Sequence, residues 1–204
     1  MKTRIFIDFW NFQLNWNGRA PSGVRLDWTV VPPVFLAEAE KLLSKVGQGG
    51  SATLEETLVH ASVNPSTEVG RNLRGWLTSF LDHQPSFNVR IRERKSRKFI
   101  VHCNSCDQEH STCPACGADL RRAAEKGVDS AIVTDLLSLA VESAFDLAVL
   151  VSSDADLIPA VEWVQDRGLK VINATWSGYG YELARTCWGS FPIDSVIGPL
   201  SRTS

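Results

Sequence analysis

Two apolar runs in this chain stop at carboxylates. "RIFID" carries Asp8 at its end, and "DLAVLV" breaks into "SSDAD", which carries Asp154 and Asp156. Asp129 stands in "KGVDS", at the head of a long apolar helix pattern, and Asp135 follows six residues later. Singly, each has a structural explanation: an aspartate at a helix start caps a backbone N–H, and one after a strand makes a turn. Together they suggest chemistry. Three or four carboxylates in one crevice repel one another unless a cation neutralises them. Oxygen donors alone suit Mg²⁺ or Mn²⁺, and such an ion activates water and stabilises charge on a phosphodiester.

A second constellation is built on sulfur. "CNSCDQEHSTCPACG" places Cys103, Cys106, Cys113 and Cys116 as C-x2-C-x6-C-x2-C. Each C-x2-C turn aims two thiolates at one ion, and two turns complete a tetrahedron, which reads as a Zn²⁺ site. Disulfides are the competing reading, disfavoured in a reducing compartment. His102 and His110 lie nearby, but four cysteines leave no ligand position for them. The stretch is too short for a hydrophobic core, so bound metal would supply its folding free energy. It reads as a zinc-ribbon-like element over residues 99–122, inserted ahead of "KGVD" and expected to overhang one side of the acidic pocket. Cys187, alone among apolar neighbours, reads as a buried small residue.

The third feature is charge. "RIRERKSRK" holds six basic residues in nine, namely Arg90, Arg92, Arg94, Lys95, Arg97 and Lys98. Arg71 and Arg74 share a helix face, Arg121 and Arg122 follow the cysteines, and Lys126 precedes Asp129. Each alone is an ordinary solvated charge. In a chain of net charge −2 they form a local basic region beside an acidic one. That separation suits a nuclease, with Arg and Lys on the phosphate backbone and carboxylate-bound metal at one linkage. Trp10 and Trp16 are candidates for base stacking, as are His102, Phe99 and Trp76, with burial the commoner fate of a tryptophan.

Positioning these groups requires a scaffold. The pattern predicts strands over 4–9, 56–63, 145–152 and 170–176. It predicts helices over 32–47, 65–85, 127–144 and 160–169. Residues 87–103 alternate like a hairpin with a basic tip. Alternating strands and helices give an α/β domain with a mostly parallel sheet and helices on both faces. In such sheets ligands bind beyond the carboxyl ends of the strands, where Asp8 and Asp154 stand. One domain is expected over residues 1–198, with 199–204 a frayed tail. At 204 residues and 44% hydrophobic, a core forms without stapling. No run reaches the ~18 apolar residues of a membrane span, and "MKTRIFIDFW" does not read as a signal peptide. The expectation is a cytoplasmic protein with reduced cysteines.

Three segments then carry a resemblance. "IDFWN" (7–11), "KGVDSAIVTDLLSLA" (126–140) and "LVSSDADLIPAVEWVQDRGLKV" (150–171) resemble, in order and spacing, the signature segments of NYN domains in the PIN-like nuclease superfamily. The resemblance implies a PIN-like three-layer domain, an acidic pocket that binds Mg²⁺ or Mn²⁺, and hydrolysis of RNA. The family's acidic positions fall on Asp8, Asp129, Asp154 and Asp156. Asn11 matches the asparagine after the first strand, where its amide would orient Asp8 or contact the scissile phosphate; a turn residue is the equal alternative. Asp135 matches a recurrent helix position, but six residues is a poor offset for sharing a face with Asp129, which leaves it an outer supporting role at most. Lys126 would meet substrate phosphate or stand exposed. Ser153 stands where many members have glycine, and Leu157 where many have an aromatic. The expected function is a metal-dependent ribonuclease with RNA as substrate. A non-catalytic RNA-binding module and a DNA-cleaving nuclease are the alternatives, and a homodimer is an open option. A haloacid-dehalogenase-like phosphatase would place Asp-x-Asp on the first strand, where this chain has "DFWN".

Overall fold

In the computed structural model the described residues are 1–122 and 124–203; the side chains of Arg122 and Thr203 lie outside the description. The first strand, β1 (Lys2–Asp8), points Ile5 and Ile7 to one face of a sheet and Phe6 to the other, all fully buried. Helix α1 (Phe9–Arg19) follows with no linker, and its apolar side, Phe9, Phe12 and Trp16, covers the Ile5 face. Next come β2 (Val24–Leu26), α2 (Val31–Lys45), β3 (Thr53–Val63), α3 (Glu68–Ser79) and β4 (Phe87–Glu93). Four two-residue strands succeed them: β5 (Arg97–Lys98), β6 (Val101–His102), β7 (Glu109–His110) and β8 (Arg121–Arg122). The rest of the chain is α4 (Val128–Val141), β9 (Leu147–Val151), α5 (Ile158–Gln165), β10 (Lys170–Thr175), α6 (Tyr181–Thr186), β11 (Gly189–Pro192), α7 (Ile197–Leu200) and β12 (Ser201–Thr203).

Six strands form one parallel sheet in the order β11-β10-β9-β1-β3-β4. Its two faces are dry for a reason visible in the strands: β9 is buried at every position, with Leu147, Val149 and Val151 on one side and Ala148 and Leu150 on the other. Helices α1, α2 and α3 cover the first side; α4, α5 and α6 cover the second. This is the expected α/β, PIN-like three-layer arrangement. Chain order reverses between β1 and β9, the place where an open parallel sheet leaves a crevice at its carboxyl edge. Ile7 aligns with Val151, so both strands end level at that crevice.

Several expectations are corrected. Residues 87–103 do not form a hairpin: β4 pairs in parallel with β3, whereas β5 pairs with β8 and β6 with β7 in separate two-stranded ladders. Alternation along β4 reflects an edge strand with one partly buried face, Phe87, Val89 and Ile91, which local spacing does not distinguish from a hairpin arm. Residues 199–204 are not a frayed tail over their described part, because Ser201–Thr203 pair antiparallel with Val24–Leu26; Ser204 lies outside the described residues. The helix expected over 65–85 stops at Ser79. Among the described residues no helix is long and apolar enough to cross a membrane.

Candidate active site

An open depression of about 370 Å³ lies at the crevice and is lined by Asp8, Asn11, Glu125, Asp129 and Asp154, with Trp10, Leu14 and Asn15 at its edge. Asp8 ends β1 and caps α1, its Oδ1 accepting the Asn11 N–H at 3.1 Å. Asp154 follows β9 and caps the next turn, its Oδ1 accepting the Asp156 N–H at 2.9 Å. Ser152 links the two, donating to Asp8 Oδ2 at 3.5 Å and accepting the Asp154 N–H at 3.2 Å. Asp129 sits in the first turn of α4, whose start is turned by Gly127 at a φ of +80° that suits glycine. Buried Asn173 on β10 donates to the carbonyls of both Leu150 and Ser152 at 2.9 Å, fixing the end of β9. Capping and site membership are compatible here, because each cap uses only one carboxylate oxygen.

The electrostatics are those of crowded negative charge: of the four carboxylates only Glu125 has a cationic partner among the described residues, Arg94. Asp8 is 5% exposed. Burial pushes its carboxyl from 3.8 up to about 6; the Asn11 N–H opposes the rise, and the carboxylates of Glu125, Asp129 and Asp154 add to it. Asp129 is also raised, by burial first and then by Asp154, Glu125 and Asp156. Asp156 itself is exposed and does not line the depression, so the structure joins Asp8, Asn11, Asp129 and Asp154 but leaves Asp156 outside that lining. The Asn11 amide makes no hydrogen bond among the described residues.

Glu125 and Ser152 were not singled out from sequence. Glu125 stands in a loop without periodicity, and its role depends on contacts distant in the chain. Its Oε2 accepts from Ser62 Oγ and, at 2.7 Å, from Arg94 Nη2. Arg94 Nε donates to Ser62 Oγ at 2.9 Å, and the guanidinium lies 5.0 Å from the Trp10 ring centre. Trp10 in turn donates to the Ser62 carbonyl at 2.7 Å. Arg94, expected on nucleic acid, is therefore bound up in positioning Glu125.

The other basic candidates divide. Arg74 pairs with Glu93, Arg90 with Asp135 at 3.4 Å, and Lys98 with Asp119 at 3.2 Å, while Arg71 donates to the Pro65 carbonyl. Lys95, Arg97 and Lys126 line a groove beside the acidic depression, and they and Arg92 have no ion-pair partner among the described residues. Asp135 faces His60 and Arg90, away from the acidic depression. Ser153 bonds to Thr175 Oγ1 at 2.9 Å, and Leu157 is fully buried in the second core; neither lines the site. Trp16 is buried and Trp76 half-buried, whereas His102 faces Asp107 at 3.0 Å.

The cysteine segment forms two matching turns. Cys103 and Cys113 each accept the N–H of residue i+4 on their carbonyls, at 2.9 and 2.8 Å. The residue after each second cysteine is left-handed, Asp107 at φ 57° and Gly117 at φ 70°. The N–H groups of Ser105 and Cys106 hold the Cys103 thiol below its usual range, and those of Ala115 and Cys116 do the same for Cys113. Neither the four sulfurs nor the carboxylates of the acidic depression are assembled as a ligand set: among the described residues no three His, Cys, Asp or Glu side chains form a metal-holding group. Cys187 is buried, as expected, and burial raises it to about 12.

Comparison with known proteins follows the same lines. A model of the family described as NYN domain matches residues 2–193. The fold is similar to the crystal structure of a protein of unknown function from Vibrio parahaemolyticus RIMD 2210633. The TM-score is 0.54 at 16% identity, over 94% of this chain and 92% of that one. No curated protein matched the chain.

Proposed function

The chain belongs to the NYN domain family, a branch of the PIN-like nucleases, and on that premise we propose that it is a divalent-metal-dependent ribonuclease hydrolysing RNA phosphodiester bonds. The observation that carries this is the meeting of Asp8, Glu125, Asp129 and Asp154 around one open depression at the sheet's reversal point. Their donor chemistry suits a hard divalent cation, since all the donors are oxygens. Asp8 is held near 6 by burial first and by the neighbouring carboxylates next. Because no three His, Cys, Asp or Glu side chains form a metal-holding group among the described residues, the ion would have to draw these carboxylates together. Mg²⁺ or Mn²⁺ bound there would activate the attacking water and offset charge on the phosphoryl oxygens.

The chain's own groups divide the remaining work. Asp8 and Asp154 stand on strand ends tied through Ser152 and Asn173, so their backbones are already placed and binding would ask only for side-chain rotation. Glu125 has one oxygen committed to Arg94 and Ser62, which leaves Oε1 for the site. Asn11, with its amide uncommitted, donates to a phosphate oxygen. Lys95, Arg97 and Lys126 hold the neighbouring backbone phosphates in their groove. Asp156 acts from outside by adding negative charge near Asp129. The two cysteine turns are proposed as the halves of a Zn²⁺ site formed by Cys103, Cys106, Cys113 and Cys116. The support is that their N–H···S contacts favour thiolate, the form that binds metal.

The test is cleavage of single-stranded and structured RNAs with Mn²⁺ or Mg²⁺, with DNA of equal sequence in parallel. RNA should be cut, cleavage should vanish on chelation, and Asp154→Asn should lower it by more than about 100-fold with the fold retained. RNA bound tightly by both proteins and cut by neither would refute catalysis in favour of a binding module. Cutting of DNA alone would move the substrate.

A further inference from the structure

We propose that the aromatic cleft next to the acidic site binds an unstacked base of single-stranded nucleic acid, with Arg25 and Arg202 on that nucleotide's phosphate. This rests on the nuclease reading, since the occupant would be a neighbour of the linkage being cut. The cleft measures about 420 Å³, within the range of small-ligand sites. Four of the seven tryptophans line it: Trp10, Trp16, Trp28 and Trp76. Phe9 and Trp28 stack at 5.4 Å and 13°, and Trp76 lies 6.0 Å from Trp28. Trp16, Trp28 and Phe9 are buried, whereas Trp10 and Trp76 are half-buried, and all five line the cleft. The rings pack edge and face on one another, and the open cleft lies over this aromatic cluster, with Asn17 also in its lining.

The charge at the mouth points to the occupant. Arg25 on β2 and Arg202 on β12 are direct cross-strand partners, both exposed, both lining the cleft. Like charges directly opposite destabilise a strand pair, and neither arginine has an ion-pair partner among the described residues. An anion bridging them removes that repulsion, and guanidinium is the group that recognises phosphate in a fixed geometry. Aromatic faces for the base and guanidinium for the phosphate are the two halves of single-strand recognition. Trp10 lines both the cleft and the acidic depression, so a strand held in one continues into the other.

The experiment is a titration of tryptophan fluorescence in the full chain, in chelator, with adenosine 5′-monophosphate, adenosine and inorganic phosphate. The monophosphate should quench saturably with Kd at or below about 1 mM, adenosine about tenfold more weakly, and phosphate not at all. Arg202→Glu should abolish the response. So should Val69→Glu, a change at a 76% exposed cleft residue that leaves the core untouched. In RNA cleavage both variants should raise KM about tenfold or more, with kcat within about twofold. Absence of saturable quenching, or cleavage with unchanged KM in both variants, overturns the cleft and leaves the nuclease reading standing. Quenching that the variants abolish, in a protein that cuts no RNA, keeps the cleft and refutes the nuclease. A stronger response to an acidic peptide than to the mononucleotide overturns the proposal in favour of a protein partner.

Discussion

Asp8→Asn should make the metal-free protein more stable while making it inactive. In the fold the Asp8 carboxyl stands near 6 against 3.8 when free, chiefly because it is buried. The difference corresponds to roughly 3 kcal/mol against the charged form. The sign follows from proton counting. Between 3.8 and 6 the folded state holds a proton that the unfolded state has released, so stability falls as pH rises through that window. The full cost is present above 6 and absent below 3.8. Asparagine keeps an oxygen for the Asn11 N–H and carries no charge, so it removes the cost. In chelator at pH 7.5, urea or thermal unfolding should find Asp8→Asn up to about 3 kcal/mol more stable, equivalent to about 6–12 °C. At pH 4 the two proteins should converge. Excess Mn²⁺ should raise the wild type by mass action and leave the variant nearly unmoved. A variant less stable than wild type at pH 7.5, or a difference that does not change with pH, would refute the electrostatic account.

Three further outcomes follow from particular contacts. Arg94→Lys should lower kcat by about tenfold or more and fail to restore what Arg94→Ala loses, because one ammonium cannot reproduce the separate bonds to Ser62 and Glu125; steady-state kinetics of the two variants decides it. His60, 1% exposed with both ring nitrogens unpartnered, is lowered to about 4 by burial and then by Arg90 and Arg92, despite Asp135 at 3.6 Å. Its contribution is complete above 6.5 and lost as pH falls toward 4, so His60→Phe should reduce acid sensitivity in that window, read by unfolding at pH 4.5 and 7. Metal analysis of reduced protein should find about one zinc per chain, and Cys113→Ser should release it and increase hydrogen exchange over residues 97–122 first; a folded, reduced, zinc-free protein counts against the site.

The parts of this structure that were legible in sequence are those where one physical requirement acts on adjacent residues. A strand buried on both faces must be apolar throughout, so "DLAVLV" and its abrupt end at "SSDAD" could be read directly. What was not legible depends on distant partners. Arg94 looked like one more cation in a basic run, yet its function is set by Glu125 and by Ser62 on another strand. Helix α1 was hidden because Phe9, Phe12 and Trp16 are interleaved with polar residues and additional aromatics. Strand β11 is a short edge strand of Gly, Ser, Phe and Pro, recognisable only from its pairing with β10. Asp156 looked equivalent to Asp154 in the sequence. A two-residue step around a turn was enough to leave one carboxylate in the depression and the other in solvent.

The Arg94–Glu125 pair also has an architectural consequence. The chain leaves the main sheet at the end of β4 and rejoins the core at α4, and this pair bridges the two ends of the excursion. The described residues between, including both cysteine turns, hang outside a closed neck. Loop closure costs little extra as a loop lengthens, so the neck decouples the excursion's length from the geometry of the sheet. The segment is thus a cassette: it can be trimmed, replaced by a tight turn, or exchanged for another recognition element while the carboxylates stay where the strands put them.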